Sequence, residues 1–194
     1  PRFAGLAANC SMLFSELPLL ERPAAARAAG FDAVELWWPF SDARPTRDEI
    51  DAFRGAVADA GVRLSGLNFF AGAMAAGERG VVSVPGREAE FRASVEIALE
   101  VGAGLGCGVF NALYGNAVEG RPIAEQREVA LANLVFAARA AADVGGWVVV
   151  EPLSGCDGYP LRTAADAVEV VGEVRARGEE NVGLLADLYH LAVN

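Results

Sequence analysis

The sequence predicts an α/β fold in which parallel strands and helices alternate around most of an eight-stranded (β/α)8 barrel. Short runs of β-branched and aromatic residues alternate with longer Ala-rich stretches, one unit for about every 30 to 36 residues. Residues 28–35 (Ala-Ala-Gly-Phe-Asp-Ala-Val-Glu) show a helix that ends at glycine immediately before a strand begins. Because no linker or low-complexity segment interrupts this alternation, we expect residues 1–194 to form a single domain.

Six strands and five helices follow in order along the chain. The predicted strands cover residues 3–9, 32–38, 62–70, 105–113, 147–153 and 182–187. The predicted helices cover residues 18–29, 46–60, 87–101, 123–144 and 163–177, and a sixth should be forming at residues 191–194. Six strands cannot close an eight-stranded barrel, so we expect an incomplete barrel with the last one or two βα units missing from this chain.

An open, doubly wound parallel sheet is the competing architecture. Its nucleotide-binding form usually carries a Gly-rich loop directly after the first strand, where backbone approaches a pyrophosphate. Residues 10–14 here are Cys-Ser-Met-Leu-Phe, which cannot wrap a pyrophosphate closely. The sequence therefore favours the barrel.

Composition limits the partners. With 26 Asp+Glu against 16 Lys+Arg, the net charge is −10, which argues against nucleic acid and against an anionic membrane surface. The longest uncharged run, residues 101–118, is rich in glycine and predicts a buried strand with turns rather than a membrane span. Without a basic-then-apolar leader at the first residues, we expect a cytoplasmic protein. A small-molecule substrate and a homo-oligomer both remain compatible with this composition.

Two predicted strands end in carboxylates. Glu151 follows the apolar strand at 147–150, and Asp187 ends the strand at 182–187. Neighbouring parallel strands lie about 4.8 Å apart, so these two carboxylates are expected to meet at one rim and to share a divalent cation. Oxygen ligands with a nearby imidazole suit Mg²⁺, Mn²⁺ or Co²⁺.

Each of these residues also has a structural interpretation. Glu151 could pair with Arg162 across the barrel mouth, and Asp187 could serve only as a helix N-cap. His190, the only histidine, could be a packed or solvated side chain, although the Asp187-x-x-His190 spacing after a strand favours a functional role. These alternatives remain open at the level of sequence.

Further polar and aromatic residues are predicted near the same strand ends. Glu35 lies within its strand and could be a buried, hydrogen-bonded carboxylate or part of the site. Asn68 and Asn111 could bind substrate hydroxyls or satisfy loop backbone groups. Trp37 belongs to an aromatic cluster that could form core, line the rim or keep water from the reacting carbon. Of these, Asn68 and Trp37 join His190 as our candidate substrate-binding residues.

Five segments resemble the hydroxypyruvate isomerase family of the xylose isomerase-like TIM barrels. They are residues 3–14, 27–35, 85–88, 149–153 and 187–190. The Asn-x-Ser-x-x-Phe block at residues 9–14 is fairly specific to this family, whereas Gly-Phe-Asp-x-Val-Glu at residues 30–35 is shared with related epimerases and isomerases. The resemblance runs over the whole chain.

This resemblance implies a metal-dependent isomerase of small hydroxy-carbonyl acids or sugars, foremost hydroxypyruvate and tartronate semialdehyde, that acts by carboxylate-mediated proton transfer through an enediolate. It implies that Glu151 is both a metal ligand and the catalytic acid/base, that Asp187 is a metal ligand, and that His190 contacts substrate or metal. Two further ligands of the family, a Gln or His and a second catalytic Glu, would be expected after Asn194.

Other functions fit the same residues. A ketose 3-epimerase and a 2-oxo-tetronate isomerase of this superfamily share the strand-end Glu and the Asp-x-x-His. A non-catalytic sugar-binding barrel would follow if the chain ended at Asn194. A multi-zinc nuclease is disfavoured, because its site needs several histidines and this sequence contains one.

Overall fold

The computed structural model of the protein describes residues 5–193. Its centre is a six-stranded sheet in which the strands stand in chain order and all five neighbouring pairs are parallel. The strands are β1 (Ala8–Asn9), β2 (Ala33–Leu36), β3 (Arg63–Asn68), β4 (Val109–Asn111), β5 (Trp147–Val150) and β6 (Val182–Leu184). The predicted parallel α/β fold is therefore confirmed, and the C-terminal ends of all six strands lie along one rim.

Six helices follow the strands in regular alternation. They are α1 (Arg22–Ala28), α2 (Arg47–Asp59), α3 (Glu88–Gly102), α4 (Ile123–Ala142), α5 (Ala164–Ala176) and α6 (Leu188–Val193). Within residues 5–193, none of the helices is long and apolar enough to cross a bilayer.

Capping boxes determine where α2 and α5 begin. Thr46 accepts a hydrogen bond from the Glu49 N–H, while the Glu49 carboxylate accepts one from the Thr46 N–H at 2.7 Å. Thr163 and Asp166 form the same reciprocal pair at the start of α5. Each pair satisfies two backbone donors that a helix N-terminus otherwise leaves free, which fixes where α2 and α5 begin.

Several predicted boundaries were wrong. The first predicted strand began at residue 3, which lies outside the described residues, and β1 is only two residues long within them. The fourth was predicted from residue 105, but β4 begins at Val109 because Gly104 and Gly106 turn the chain with a φ of 79° each. The last helix, α6, begins at Leu188 rather than at residue 191.

The two faces of the sheet differ in composition. The face beneath the helices is buried and apolar, with Val34, Leu67, Phe110 and Val148 at 0–1% exposure. Phe110 also stacks on Phe69, with ring centroids 5.7 Å apart. Residues of opposite parity point to the other face, and strand alternation therefore brings the polar side chains there together. The members of this polar set are Glu35, Asn68, Asn111 and, directly after β5, Glu151.

The sheet of the described residues is open. β1 pairs only with β2, and β6 pairs only with β5, so each has one sheet neighbour within residues 5–193. The six-stranded, unclosed arrangement agrees with the prediction of an incomplete barrel.

Candidate active site

Three side chains with possible metal-binding atoms converge at the rim where β5 and β6 end. Glu151 directly follows β5, Asp187 follows β6 after two residues, and His190 lies in α6. One ligand atom of each lies within 4.8 Å of the others. The predicted proximity of Glu151 and Asp187 is therefore confirmed, because parallel neighbours in register bring their C-terminal ends side by side.

The Glu151 carboxylate is held in an environment that disfavours its negative charge. Its pKa is raised from 4.5 to about 7, and burial is the largest cause. The hydrogen bond from Asn111 Nδ2 to Oε2, 2.7 Å long, partly lowers the pKa, and the charges of Asp187 and Glu35 raise it further. None of these groups is a cation. The alternative in which Arg162 neutralises Glu151 thus gains no support from the surroundings of this carboxylate.

The backbone of Glu151 is fixed by a buried tyrosine. The Tyr159 hydroxyl donates to the Glu151 carbonyl at 3.0 Å and accepts from the Tyr114 N–H at 2.9 Å. Tyr159 is 2% exposed, and burial raises the pKa of its hydroxyl, which therefore stays protonated and able to donate. This bridge ties the end of β5 to the segment that follows β4.

Asp187 caps α6 and also lies in the cluster with Glu151 and His190. Its Oδ1 accepts the Tyr189 N–H at 2.8 Å, and its carbonyl accepts the Leu191 N–H at 2.9 Å, as in an N-cap of α6. Its other carboxylate oxygen, Oδ2, lies 3.9 Å from His190 Nε2 and belongs to the cluster. Capping therefore orients Asp187 without occupying both oxygens.

His190 is anchored through one ring nitrogen. Nδ1 lies 3.0 Å from the backbone nitrogen of Ser154 and 2.9 Å from its Oγ, while the ring packs edge-on against Tyr189 with centroids 5.3 Å apart. The interpretation of His190 as a simply solvated side chain is wrong, since the imidazole is 19% exposed and bonded to the loop after β5.

A second group of polar residues lies at the ends of β1 and β2. Asn9 Nδ2 donates to Glu35 Oε1 at 3.0 Å, and the Ser11 hydroxyl accepts the Trp37 N–H at 2.9 Å. Glu35 is exposed rather than buried, but its charge acts on Glu151. The Trp37 side chain is 38% exposed. The structure brings Glu35 close enough to influence the cluster and leaves Trp37 at the outer rim.

Asn68 and Asn111 are partners in the β3–β4 register and end neighbouring strands. Both are buried. The Asn111 amide is oriented so that Nδ2 reaches Glu151. Its other polar atom, Oδ1, is buried and accepts no hydrogen bond from the described residues. Asn111 thus contacts the candidate catalytic carboxylate directly, whereas Asn68 lies one strand farther away.

Tyr159, Ser154 and the contact from Asn111 to Glu151 were missed by the sequence reasoning. Ser154 and Tyr159 lie three and eight residues after Glu151, in the loop before α5. Loops that follow barrel strands carry functional groups, and this position was the available signal. The residue spacing alone could not indicate which loop side chains turn back toward β5.

Comparison with known proteins decides the family. The model of the xylose isomerase-like TIM barrel family matches residues 23–194. The chain belongs to that family. It is 53% identical to the "Putative hydroxypyruvate isomerase" of Streptomyces coelicolor, with 96% of this chain aligned to 68% of the relative. It is 37% identical to the 2-oxo-tetronate isomerase of Cupriavidus necator, where it spans 70% of the relative.

A solved structure agrees with this assignment. The chain superposes on a family 2 AP endonuclease from Brucella melitensis with a TM-score of 0.82 and 34% identity, over 96% of this chain and 69% of the other. The relatives that align along almost the whole sequence are isomerases by name, and this chain is an isomerase of the xylose isomerase-like family. Reactive groups of such barrels stand at the C-terminal ends of the strands, which is where Glu151 and Asp187 lie.

Proposed function

We propose that this isomerase interconverts hydroxypyruvate and tartronate semialdehyde with a divalent cation bound by Glu151 and Asp187. The observation that carries the proposal is the pairing of two carboxylates at one rim where, among residues 5–193, no cationic side chain contributes to the shift of the Glu151 pKa. The names of the relatives supply the substrate class.

The residues fit a divalent cation. Two carboxylates crowded together repel one another, and that repulsion contributes to the raised pKa of Glu151. A cation between them removes the repulsion, and a hard oxygen donor set suits Mg²⁺, Mn²⁺ or Co²⁺. When bound, such a cation stabilises negative charge that develops on the substrate oxygens.

The proton transfer is assigned to Glu151. A carboxylate beside the reacting carbons can take a proton from one carbon and return it to the next, with an enediolate of the substrate between the two steps. Asn111 donates a hydrogen bond to one carboxylate oxygen, Oε2, and thereby restrains the carboxylate at the rim. His190, Asn68 and Trp37 are proposed to bind the substrate, the first two from within the rim and Trp37 from its edge.

The relative from Cupriavidus supports a second candidate, the isomerisation of 2-oxo-tetronate. This substrate presents the same hydroxy-carbonyl acid to the site and differs in length by one carbon. We further propose that residues 1–194 act as one domain in the cytoplasm, that the partner is a small molecule rather than nucleic acid, and that assembly into a homo-oligomer is compatible with this function.

Turnover of a substrate panel tests the proposal. Purified protein stripped with EDTA is assayed with hydroxypyruvate, 2-oxo-tetronate and a free ketose, before and after Mn²⁺, Mg²⁺ or Co²⁺ is added. We expect hydroxypyruvate to give the highest kcat/KM of the three substrates, and we expect turnover only when the cation is present. Faster turnover of 2-oxo-tetronate would select the second candidate, and turnover unaffected by EDTA would refute the role of the cation.

A further inference from the structure

Ser154 presents two polar groups to a single atom. Its backbone nitrogen lies 3.0 Å and its Oγ 2.9 Å from Nδ1 of His190, and Ser154 itself is 6% exposed. Ser154 belongs to the loop after β5, whereas His190 lies in α6, so these contacts join two segments that are distant in sequence. The arrangement is buried and two-pronged, which limits rotation of the imidazole ring.

The backbone contact determines which ring nitrogen carries the proton. A backbone N–H can only donate, so the Nδ1 facing it must offer a lone pair, and a proton on Nδ1 would point at the N–H hydrogen. In a neutral imidazole the proton then resides on Nε2. With Nδ1 occupied by Ser154 and Nε2 protonated, the ring has no lone pair left for a cation.

We propose that Ser154 is a positioning residue that holds His190 as an Nε2–H donor aimed into the site. Nε2 lies 3.9 Å from Asp187 Oδ2, beyond hydrogen-bonding distance, so this N–H is available to a substrate oxygen beside the carboxylates. Of the three clustered side chains, the two carboxylates hold the cation and His190 holds the substrate. Binding of the substrate by His190 rests on the proposed function, whereas the tautomer follows from the Ser154 contacts alone.

Nitrogen NMR of the imidazole tests the tautomer without any assay of activity. His190 is the only histidine in the sequence, so the ring ¹⁵N signals of an untagged sample report this residue alone. At about pH 8, the two ring nitrogens should show one protonated Nε2 and one unprotonated Nδ1. A protonated Nδ1, or an even mixture of the two tautomers, overturns the proposal.

Three serine variants test the positioning role. Ser154→Ala removes the hydroxyl and keeps the N–H, so KM should rise about fivefold while kcat stays within about twofold, the effect of one lost hydrogen bond. Ser154→Thr restores a hydroxyl and should return KM toward the wild-type value. Ser65→Ala, which removes a hydroxyl bonded to the Val34 carbonyl, is the matched control and should leave KM unchanged. An unchanged KM in Ser154→Ala overturns the positioning role.

Titration with Mn²⁺ separates substrate binding from metal binding. His190→Gln should leave the Mn²⁺ dissociation constant within about twofold of wild type, whereas Asp187→Asn should raise it at least about tenfold. An equal loss of Mn²⁺ affinity in the two variants would show that His190 ligates the cation and would overturn the proposal. Since neither NMR nor Mn²⁺ titration needs turnover, their outcome is distinct from a failure of the proposed isomerase activity.

Discussion

Glu151 at the barrel rim and Glu173 on α5 are the same side chain in opposite electrostatic surroundings. Glu173 accepts a hydrogen bond from Arg127 at 2.7 Å, and this bond, with the charges of Arg127 and Arg177, lowers its pKa. The pKa of Glu151 is raised to about 7 by burial and by two other carboxylates. On the helical surface, arginines neutralise the acidic side chains, whereas at the rim carboxylates lie together, an arrangement that costs stability and that the proposed cation would relieve.

The helical surface extends this pattern beyond one pair. Arg127 also contacts Glu169 at 2.9 Å, and Arg177 joins Glu128 at 3.1 Å, so a network of ion pairs links α4 with α5. Such exposed pairs contribute little each, on the order of 0–1 kcal/mol. The contrast between rim and surface therefore predicts large effects on activity at the rim and small effects on stability at the surface.

The largest expected effect is on turnover. Glu151→Gln keeps the shape of the side chain and the Asn111 contact site but removes the proton acceptor, so kcat should fall by about 10² to 10⁴ with a smaller change in KM. Steady-state kinetics with saturating Mn²⁺ measures this. Glu173→Gln is the matched control and should stay within about twofold of wild type. Near-wild-type turnover in Glu151→Gln would mean that this carboxylate is structural.

The second effect is on metal affinity. Asp187→Asn should weaken Mn²⁺ binding at least about tenfold and lower activity in a way that excess Mn²⁺ partly restores. Asn still caps a helix, so the free energy of unfolding without metal should change little. Calorimetric titration gives the affinity, and thermal unfolding checks the fold. Loss of activity without any loss of Mn²⁺ affinity would show that Asp187 is not a metal ligand.

The third effect is a pH-dependent stability of the metal-free protein. Because the folded-state pKa of Glu151 is raised above its unfolded value of 4.5 to about 7, the folded state holds this proton more tightly. The contribution of this proton to the free energy of unfolding is fully present below about pH 4.5. It is lost as the pH rises through about 7, which lowers the free energy of unfolding by about 3 kcal/mol. Glu151→Gln should therefore be more stable than wild type at pH 8 and equal to it at pH 4. Urea unfolding at both pH values measures the difference, and parallel profiles would contradict the raised pKa.

The smallest effect is expected on the helical surface. Glu173→Gln removes two partly exposed ion pairs, with Arg127 and with Arg177, and should lower the free energy of unfolding by less than about 1 kcal/mol, with the difference fading in about 1 M NaCl. Denaturant unfolding at low and high salt measures this. A loss of several kcal/mol that salt does not reduce would show that Glu173 is important for stability, and the contrast between rim and surface would then be wrong.

The parts of the site that the sequence predicted are those set by strand periodicity. Glu151 and Asp187 were identified because each interrupts an apolar run at a strand end, and parallel register then brings them together. The start of β4 was predicted too early, because the apolar Leu105 was assigned to the strand although the glycines on either side of it turn the chain.

The contacts around Glu151 could not be predicted in the same way. Whether Asn111 turns toward Glu151 depends on its rotamer, and whether Ser154 reaches His190 depends on the path of an irregular loop. Tyr159 could be recognised as apolar enough for the core, but its bridge between Tyr114 and Glu151 joins segments 45 and 8 residues away. These features arise from tertiary packing and leave no periodic signal in the sequence.

Anomalous X-ray diffraction from crystals of the protein soaked in Mn²⁺ tests directly whether the rim binds a cation. We predict one strong manganese peak at the rim, with a carboxylate oxygen of Glu151 and one of Asp187 each about 2.0–2.6 Å from the ion, and with His190 Nε2 outside that distance. Manganese bound only elsewhere, or coordinated without either carboxylate, would show that Glu151 and Asp187 do not form a metal site.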